Sequence, residues 1–172
     1  MLIRDAHQEE FAEIGEIRVA AYVADGFLSP ESSYAPRLRE LGSDGLGQVL
    51  VAQSDPGRLV GTVMLQVWPD AGEVVQGRGE AEIRALAVRA EAQGAGLGRA
   101  LLTAILERAA SLGVWHVLLL TQPEMKTAHH LYEDAGFSRL PERDCTPAPG
   151  VDLLAYGLVL AVPAGADDAR AR

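Results

Sequence analysis

The feature that most constrains the fold of this chain is a glycine-rich turn between a β-type run and an apolar helical run. The β-type run extends from Glu80 to Val88, and the turn and helix start read Gly94-Ala95-Gly96-Leu97-Gly98-Arg99. Glycine lets the backbone approach a ligand closely, and the first N–H groups of a helix have no partner inside the helix. The turn is therefore a candidate site for a phosphate or pyrophosphate group.

The composition is that of a globular domain without a broad nucleic-acid surface. The 172 residues are 48% hydrophobic and 23% charged, with a formal net charge of −9. Nucleic-acid-binding proteins normally present a basic face, so we expect no nucleic-acid partner. An acidic surface favours cationic partners such as amines, although it also serves solubility alone. The single cysteine, Cys145, excludes an internal disulfide framework and a cysteine-rich metal site.

The amino-acid sequence shows no pattern typical of a targeting signal or a membrane-spanning segment. The first residues lack a basic region followed by an apolar stretch, and no apolar run approaches the roughly 20 residues that span a bilayer. We therefore expect a cytoplasmic protein with no membrane partner. A single domain is predicted over residues 1–162, and the small, polar tail over 163–172 is predicted to be disordered.

Hydrophobic periodicity predicts a mixed α/β fold. Helices are expected over residues 9–24, from Ser29-Pro30-Glu31 to Leu41-Gly42, and over 97–112 and 126–135. Strands are expected over residues 2–4, 48–53, 59–68, 80–88, 116–120, 137–140 and 152–162. The early hairpin and the later βαβ unit predict one central sheet with antiparallel and parallel parts, flanked by helices on both faces.

Two common phosphate ligands do not fit the turn. A dinucleotide fingerprint needs a third glycine where this chain has Arg99, and Thr121-Gln122 stands where a ribose-binding acid belongs. A nucleoside-triphosphate loop needs Gly-Lys followed by Ser or Thr, which does not follow Gly98. What remains is Gln-x-x-Gly-x-Gly from Gln93 to Gly98, directly after Leu86-Ala87-Val88 and a short spacer.

These residues resemble the cofactor motif of the GCN5-related N-acetyltransferase (GNAT) family. A second block, Ala128-His129-His130-Leu131-Tyr132-Glu133-Asp134-Ala135-Gly136-Phe137, is similar to that family's Ala-x-x-Leu-Tyr-Glu-x-x-Gly-Phe element. Met125 departs from the pattern, because the family often carries Asn at that position. The resemblance implies the GNAT fold and an N-acetyltransferase that uses acetyl-CoA and no metal.

The resemblance also assigns the cofactor contacts. Main-chain groups of Leu86, Ala87 and Val88 would pair with the pantetheine arm, and a Val88 N–H would stabilise the oxyanion. The remaining expected contacts to coenzyme A are Gln93, Gly94, Ala95, Gly96, Leu97, Gly98, Arg99, His129 and Tyr132. Adjacent helical histidines point about 100° apart, so His129 and His130 cannot chelate one metal, and at least one is expected to face solvent.

Acetyl transfer to an amine needs a base for the ammonium proton and an acid for the departing thiolate. Tyr132 is the candidate acid, because it matches the family's thiolate-protonating tyrosine and shares a helix face with Ala128. Glu82 is the candidate base, since regular strand alternation places it on one face with Arg84, Leu86 and Val88. A plain ion pair of Glu82 with Arg84 or another basic residue is the alternative. Asp70, Glu73 and Glu80 are candidates for the entrance of a cationic substrate.

The function expected from the sequence is acetyl transfer to a primary amine of a small molecule or peptide, by direct attack in a ternary complex. The alternatives are a catalytically weak acyl-CoA-binding or regulatory module and a nucleotide-binding regulator. The resemblance also allows a homodimer paired through the last strands, which the sequence does not decide.

Overall fold

A computed structural model describes residues 1–54, 57–72 and 74–161. The helices in this part of the chain are α1 (Phe11–Ala24), α2 (Ala35–Glu40), α3 (Leu97–Ser111) and α4 (Lys126–Asp134). The strands are β1 (Leu2–Asp5), β2 (Gln48–Ser54), β3 (Arg58–Val67), β4 (Glu80–Val88), β5 (His116–Thr121), β6 (Ser138–Arg139), β7 (Cys145–Ala148) and β8 (Val151–Val159). Short 3₁₀ turns occupy Gln8–Glu10, Ala90–Ala92 and Pro141–Arg143.

The strands form one mixed sheet in the order β1-β2-β3-β4-β5-β8-β6, and β7 pairs with β8. β4 and β5 run parallel, with Glu80 opposite His116 and Ile83 opposite Leu119. β5 and β8 run antiparallel, as do β1 and β2. The prediction of a mixed sheet with antiparallel and parallel parts is confirmed.

The chain forms two compact units, each with its own core. The first comprises Met1–Met64 and Arg84–Ile105, and the second comprises Leu65–Ile83 and the described residues from Leu106 onward. In the first unit, α1 packs Ile14, Ile17 and Ala21 against Val49 and Val51 of β2 and residues of β3 and β4. In the second unit, the loop residues Val74 and Val75 pack against Leu118 and Ala155.

The predicted helix from Ser29 to Leu41 is wrong over its first six residues. The chain makes turns there, and α2 begins only at Ala35. The Ser29 hydroxyl accepts the Glu31 amide and donates to the Glu31 carboxylate at 2.6 Å, and the Ser32 hydroxyl accepts the Tyr34 amide. Such local side-chain bonds give the backbone an alternative to a helix.

The other predicted elements lie within a few residues of the observed ones. Strand β7 is the exception, because we predicted no strand in the proline-rich segment 141–150. Asp55 and Pro56 of the turn predicted between the second and third strands lie outside the described residues, as do residue 162 and the tail over 163–172.

Candidate active site

The glycine turn adopts the backbone conformation that the sequence pattern suggested. Gly94 and Gly96 have φ of 81° and 79°, and α3 begins at Leu97. A Cβ added at either glycine would meet no atom of the described structure within 4 Å. The backbone conformation therefore requires glycine, while the space around both positions is open to a ligand.

The residues around these glycines differ in exposure. Ala95 and Arg99 are exposed, Gly98 is half-buried and Leu97 is buried. Leu97 thus fixes the start of α3, while its exposed neighbours border solvent. Leu101, farther along α3, lies close to Gly61 of β3. A Cβ added at Gly61 would lie 2.9 Å from the Leu101 side chain, so glycine at this position lets the helix lie close to the strand.

The end of β4 is tied to the loop that precedes the glycine turn. The Gln93 side chain donates from Nε2 to the Val88 carbonyl at 3.2 Å. The Arg89 amide donates to the Val60 carbonyl at 2.9 Å. Leu86 and Val88 are half-buried and Ala87 is buried. These bonds fix the path of the backbone from the end of β4 into the turn.

Ala85 interrupts the regular alternation of β4. Its φ of 51° lies in the left-handed region, where it is the one non-glycine residue with positive φ within the described part of the chain. A left-handed residue inside a strand is typical of a β-bulge, which shifts the facing of the residues after it. The regular alternation from which Glu82 was expected to share a strand face with Leu86 and Val88 is therefore interrupted at Ala85, between Glu82 and these two residues.

Glu82 is a buried carboxylate at the middle of β4. The residue is 5% exposed, and its Oε2 accepts the Gly72 amide at 3.1 Å. A Cβ added at Gly72 would lie 2.7 Å from the same oxygen, so the loop backbone passes close to the carboxylate. Glu82 thus has a fixed position in a largely water-free environment.

Tyr132 and His129 lie on the buried face of α4. Tyr132 is 8% exposed, and its ring centroid lies 5.9 Å from that of Phe137 and 6.4 Å from that of Tyr156. His129 is 6% exposed and donates from Nε2 to the Gln122 carbonyl at 3.0 Å. His130 is exposed. The prediction that one of the two histidines faces solvent is confirmed.

A buried ion-pair network around Glu80 was missed by the sequence analysis. Arg143 binds both oxygens of the Glu80 carboxylate, at 2.9 and 3.1 Å, and also donates to the Val74 carbonyl at 2.6 Å. The Gln76 amide and His116 Nδ1 donate to the same carboxylate at 2.7 and 3.0 Å. We refer to these four groups as the Glu80 clamp.

The electrostatics of the Glu80 clamp favour the ionised acid. Burial alone would raise the pKa of Glu80, but the hydrogen bonds from Arg143, the Gln76 amide and His116 outweigh burial and lower the pKa to about 2. The expectation that Glu80 lines a substrate entrance is wrong, since its side chain is 6% exposed and paired. Asp70 is exposed, and Glu73 lies outside the described residues.

A second unforeseen residue is Arg18, whose side chain lies on the apolar face of α1. Its relative exposure is 0%, and its Nη1 donates to the Leu41 carbonyl at 2.6 Å and to the Leu38 carbonyl at 3.4 Å. The sequence contained a signal, because Arg18 occupies helical positions between Ile14 and Ala21 that otherwise carry core residues.

The described residues lack two kinds of structural feature. No helix there combines the length and the apolar character that crossing a membrane requires. No group of three or more His, Cys, Asp or Glu side chains in the same residues is arranged to hold a metal ion.

Curated relatives match about half of the chain. Mycothiol acetyltransferases from Kocuria rhizophila and Cellulomonas flavigena are 36% and 38% identical to it over 89 and 92 residues. Each match covers 52% of this chain but only 28% and 26% of the relative. The chain thus spans about a quarter of the length of these relatives.

Solved structures share the fold. A GNAT-family acetyltransferase from Staphylococcus aureus Mu50 has a TM-score of 0.75 at 16% identity, covering 93% of this chain and 99% of that one. An acetyltransferase from Salmonella typhimurium, described with its cofactor acetyl-CoA, has a TM-score of 0.68 at 24% identity, covering 97% and 98%. At such identities the likeness concerns the fold alone.

A family model gives the assignment. The model described as the acetyltransferase (GNAT) family matches residues 7–137, which include the glycine turn and the block that ends at Phe137. That range is well over half of the 172 residues. The resemblance inferred from the two motifs is confirmed, and the chain belongs to the GNAT family of acetyltransferases.

Proposed function

We propose that this chain is an acetyl-CoA-dependent N-acetyltransferase acting on a primary amine of a small molecule or peptide. The observation that carries the proposal is the pair of left-handed glycines, Gly94 and Gly96, at the start of α3 with open space beside them. Acetyl-CoA is the cosubstrate of this family. Its pyrophosphate matches an anion site at a helix start.

In the proposed site for acetyl-CoA, most contacts to the cofactor come from backbone groups. Amides of residues 94–99 hold the pyrophosphate, and the main chain of residues 86–88 pairs with the pantetheine arm. The left-handed backbone at Ala85 supports this role, because such a residue is typical of a bulge, and a bulge just before residues 86–88 would leave main-chain groups free for a ligand. We retain His129 as a proposed cofactor contact, with its ring orientation fixed by the Gln122 carbonyl.

The proposed chemistry is direct attack of the amine on the thioester carbonyl that acetyl-CoA supplies. Glu82, directly or through water, takes the proton that the amine loses, and the Val88 N–H donates to the oxyanion. The new C–N bond forms, the C–S bond breaks, and Tyr132 gives its hydroxyl proton to the departing thiolate. The second proton that the nitrogen loses as the amide forms restores the Tyr132 hydroxyl. An amine resembling lysine has a pKa of about 10.4, so deprotonation on the protein is the step that needs a base.

The test begins with ligand binding. Acetyl-CoA should raise the thermal unfolding midpoint of the chain, whereas ATP and NAD should leave it unchanged. Stabilisation by ATP or NAD alone would point to a nucleotide-binding regulator. Release of the coenzyme A thiol is then measured with polyamines, amino acids, aminoglycosides and N-terminal peptides. Binding of acetyl-CoA without turnover on any amine would favour an acyl-CoA-binding module.

A single substitution tests the proposed role of Tyr132 as the general acid. Tyr132→Phe removes one hydroxyl, and we expect kcat to fall by about 10²-fold or more with acetyl-CoA affinity retained. Tyr156→Phe is the matched control, because it removes the hydroxyl of a neighbouring buried tyrosine that lies 3.3 Å from Glu133. Full activity of Tyr132→Phe would remove Tyr132 from the acid role.

A further inference from the structure

Two buried carboxylates stand side by side on β4. Glu80 of the Glu80 clamp and Glu82, the proposed base, are each 5% exposed. They are two residues apart and both precede the left-handed backbone of Ala85, so their side chains lie on one face of the strand. Two residues of a strand span about 7 Å. At that separation the charge of one carboxylate acts on the ionisation of the other.

The neighbouring strand β5 brings one titratable group to this face. His116 lies opposite Glu80, and the apolar Leu118 lies opposite Glu82. His116 Nδ1 donates to the Glu80 carboxylate at 3.0 Å, a bond that the neutral imidazole makes as well as the charged one. His116 thus completes the Glu80 clamp without supplying a permanent charge.

The other neighbouring strand, β3, brings a neutral side chain against Glu82. The Trp68 amide donates to the Glu80 carbonyl at 3.2 Å. Counting two residues along the antiparallel pair places Gln66, which is 7% exposed, opposite Glu82. Arg84, which is half-buried, is the third charged residue of β4 and stands two positions beyond Glu82. The variants that follow all keep Arg84, so the changes expected in them arise from the Glu80 clamp.

Three hydrogen bonds hold the backbone of the loop over residues 69–79 at alternate residues. They are those of Glu82 with the Gly72 amide at 3.1 Å, Arg143 with the Val74 carbonyl at 2.6 Å, and Glu80 with the Gln76 amide at 2.7 Å. A Cβ added at Gly72 would lie 2.7 Å from Oε2 of Glu82, so the contact between loop and carboxylate is close. Arg143 therefore fixes the loop two residues from the amide that binds Glu82.

Arg143 also carries the positive charge that compensates Glu80. It binds both carboxylate oxygens, at 2.9 and 3.1 Å, and its side chain is only 16% exposed. Without Arg143, an ionised Glu80 would disfavour a second negative charge on Glu82. Without Glu80, the charge of Arg143 would favour it, because the Val74 carbonyl still holds the guanidinium in place. The two partners of one ion pair thus act on Glu82 with opposite signs.

We infer that Arg143 positions Glu82, by balancing the charge of Glu80 and by keeping the Gly72 amide on the proposed base. This inference rests on the proposed function, in which Glu82 takes the proton of the amine. An ion pair that serves folding alone makes a different prediction, since loss of either partner would then have the same effect. The sign of the effect on Glu82 separates the two roles of Arg143.

The Gly72 amide provides a direct probe of Glu82. Its hydrogen bond to Oε2 weakens when the carboxylate is protonated, so its ¹H–¹⁵N NMR resonance follows the ionisation of Glu82 through a pH series. In Arg143→Met the titration midpoint of this resonance should rise by about half a pH unit or more. In Glu80→Gln it should fall by about as much. Shifts of the same sign in both variants, or no shift in either, would overturn the inference.

A double variant provides a test that does not leave a buried charge unpaired. Glu80→Leu combined with Arg143→Met removes both charges, and the replacement of a buried ion pair by apolar residues is often neutral for stability. The Gly72 midpoint should then equal that of the unaltered chain, while the change in its chemical shift becomes smaller because Arg143 no longer holds the loop. A midpoint displaced by about half a pH unit in the double variant would contradict the charge balance.

Two exposed residues supply matched controls. Arg78→Met removes a positive charge from the same loop, and Glu142→Gln removes a negative charge from the turn that carries Arg143. Solvent and salt screen exposed charges, so the Gly72 midpoint should stay in place in both. A shift in Arg78→Met as large as that in Arg143→Met would show a general effect of net charge and would overturn the inference.

Kinetics then separate the inference from the proposed function. For one amine, the acidic limb of kcat/KM against pH should move with the Gly72 midpoint in each variant. The double variant should also lose about 10-fold in kcat at high pH, because the base is less well positioned. If no amine is turned over, the proposed function fails, while the Gly72 midpoints still decide whether Arg143 acts on Glu82. A limb that stays fixed while these midpoints move would remove Glu82 from the role of base.

Discussion

Glu80→Gln provides a quantitative test of the Glu80 clamp. The substitution keeps the size of the side chain but replaces one carboxylate oxygen by an NH₂ group. That group then faces a hydrogen-bond donor: Arg143, the Gln76 amide or His116. Lowering the pKa of Glu80 from 4.5 to about 2 corresponds, at about 1.36 kcal/mol per pH unit, to about 3 kcal/mol of folding free energy. We expect Glu80→Gln to lose about this much at pH 7.

The pH dependence follows from the sign of the pKa change. Because the pKa of Glu80 is lower in the folded chain, its contribution is complete above the unfolded value of 4.5 and is lost as the pH falls through about 2. The difference in unfolding free energy between the two chains should therefore be constant from about pH 6 to 8. This difference should narrow by roughly half at pH 3, because Glu80 is then protonated in the unfolded chain while it is still largely ionised in the folded chain.

Urea unfolding followed by circular dichroism at a series of pH values measures this difference. Glu91→Gln is the control, because Glu91 pairs with Arg58 at the exposed surface. Loss of this exposed pair should leave the urea midpoint of unfolding unchanged. A loss below about 1 kcal/mol at pH 7, or a difference that stays constant down to pH 3, would refute the account of the Glu80 clamp.

Two further predictions concern the proposed donor site and the proposed base. Gly94→Ala and Gly45→Ala introduce the same strain at φ of 81°, about 1 kcal/mol each, so both should lower stability alike. Isothermal titration calorimetry should show weaker acetyl-CoA binding for Gly94→Ala but not for Gly45→Ala. Equal acetyl-CoA affinities of the two variants would contradict the proposed cofactor site at the glycine turn. Glu82→Gln should lower kcat by about 10²-fold or more, with partial recovery at high pH where more amine is unprotonated, whereas Glu107→Gln on α3 should not change it. A deficit that does not change with pH would indicate a structural role through the Gly72 amide instead.

The sequence predicted the parts of the fold that depend on local patterns. The bounds of β4 match the prediction at both ends, and Gly94 and Gly96 mark the start of α3 because both the turn and the helix start have local chemical signatures. The false helix start at Ser29 used the same kind of signature. Serine hydroxyls stabilise turns as readily as helix starts, and only the packing of the later residues decides between them.

The site residues that the sequence did not predict depend on distant partners. Glu80 and Arg143 are 63 positions apart, and no spacing rule links an acid to an arginine at that separation. The left-handed backbone of Ala85 has no sequence signature, since alanine rarely adopts it. The helical period of α1 indicated that Arg18 lies on the buried face, but periodicity cannot show which guanidinium nitrogens have hydrogen-bond partners.

The way the described residues of the loop over 69–79 are held has a consequence for which of its positions tolerate substitution. Side chains from elsewhere in the chain form hydrogen bonds with the loop backbone: Glu82 binds the Gly72 amide, Arg143 the Val74 carbonyl and Glu80 the Gln76 amide. The side chains of Asp70, Gln76 and Arg78 are exposed. Substitutions at these three positions are therefore expected to change the charge of the surface while the hydrogen bonds to the loop backbone remain.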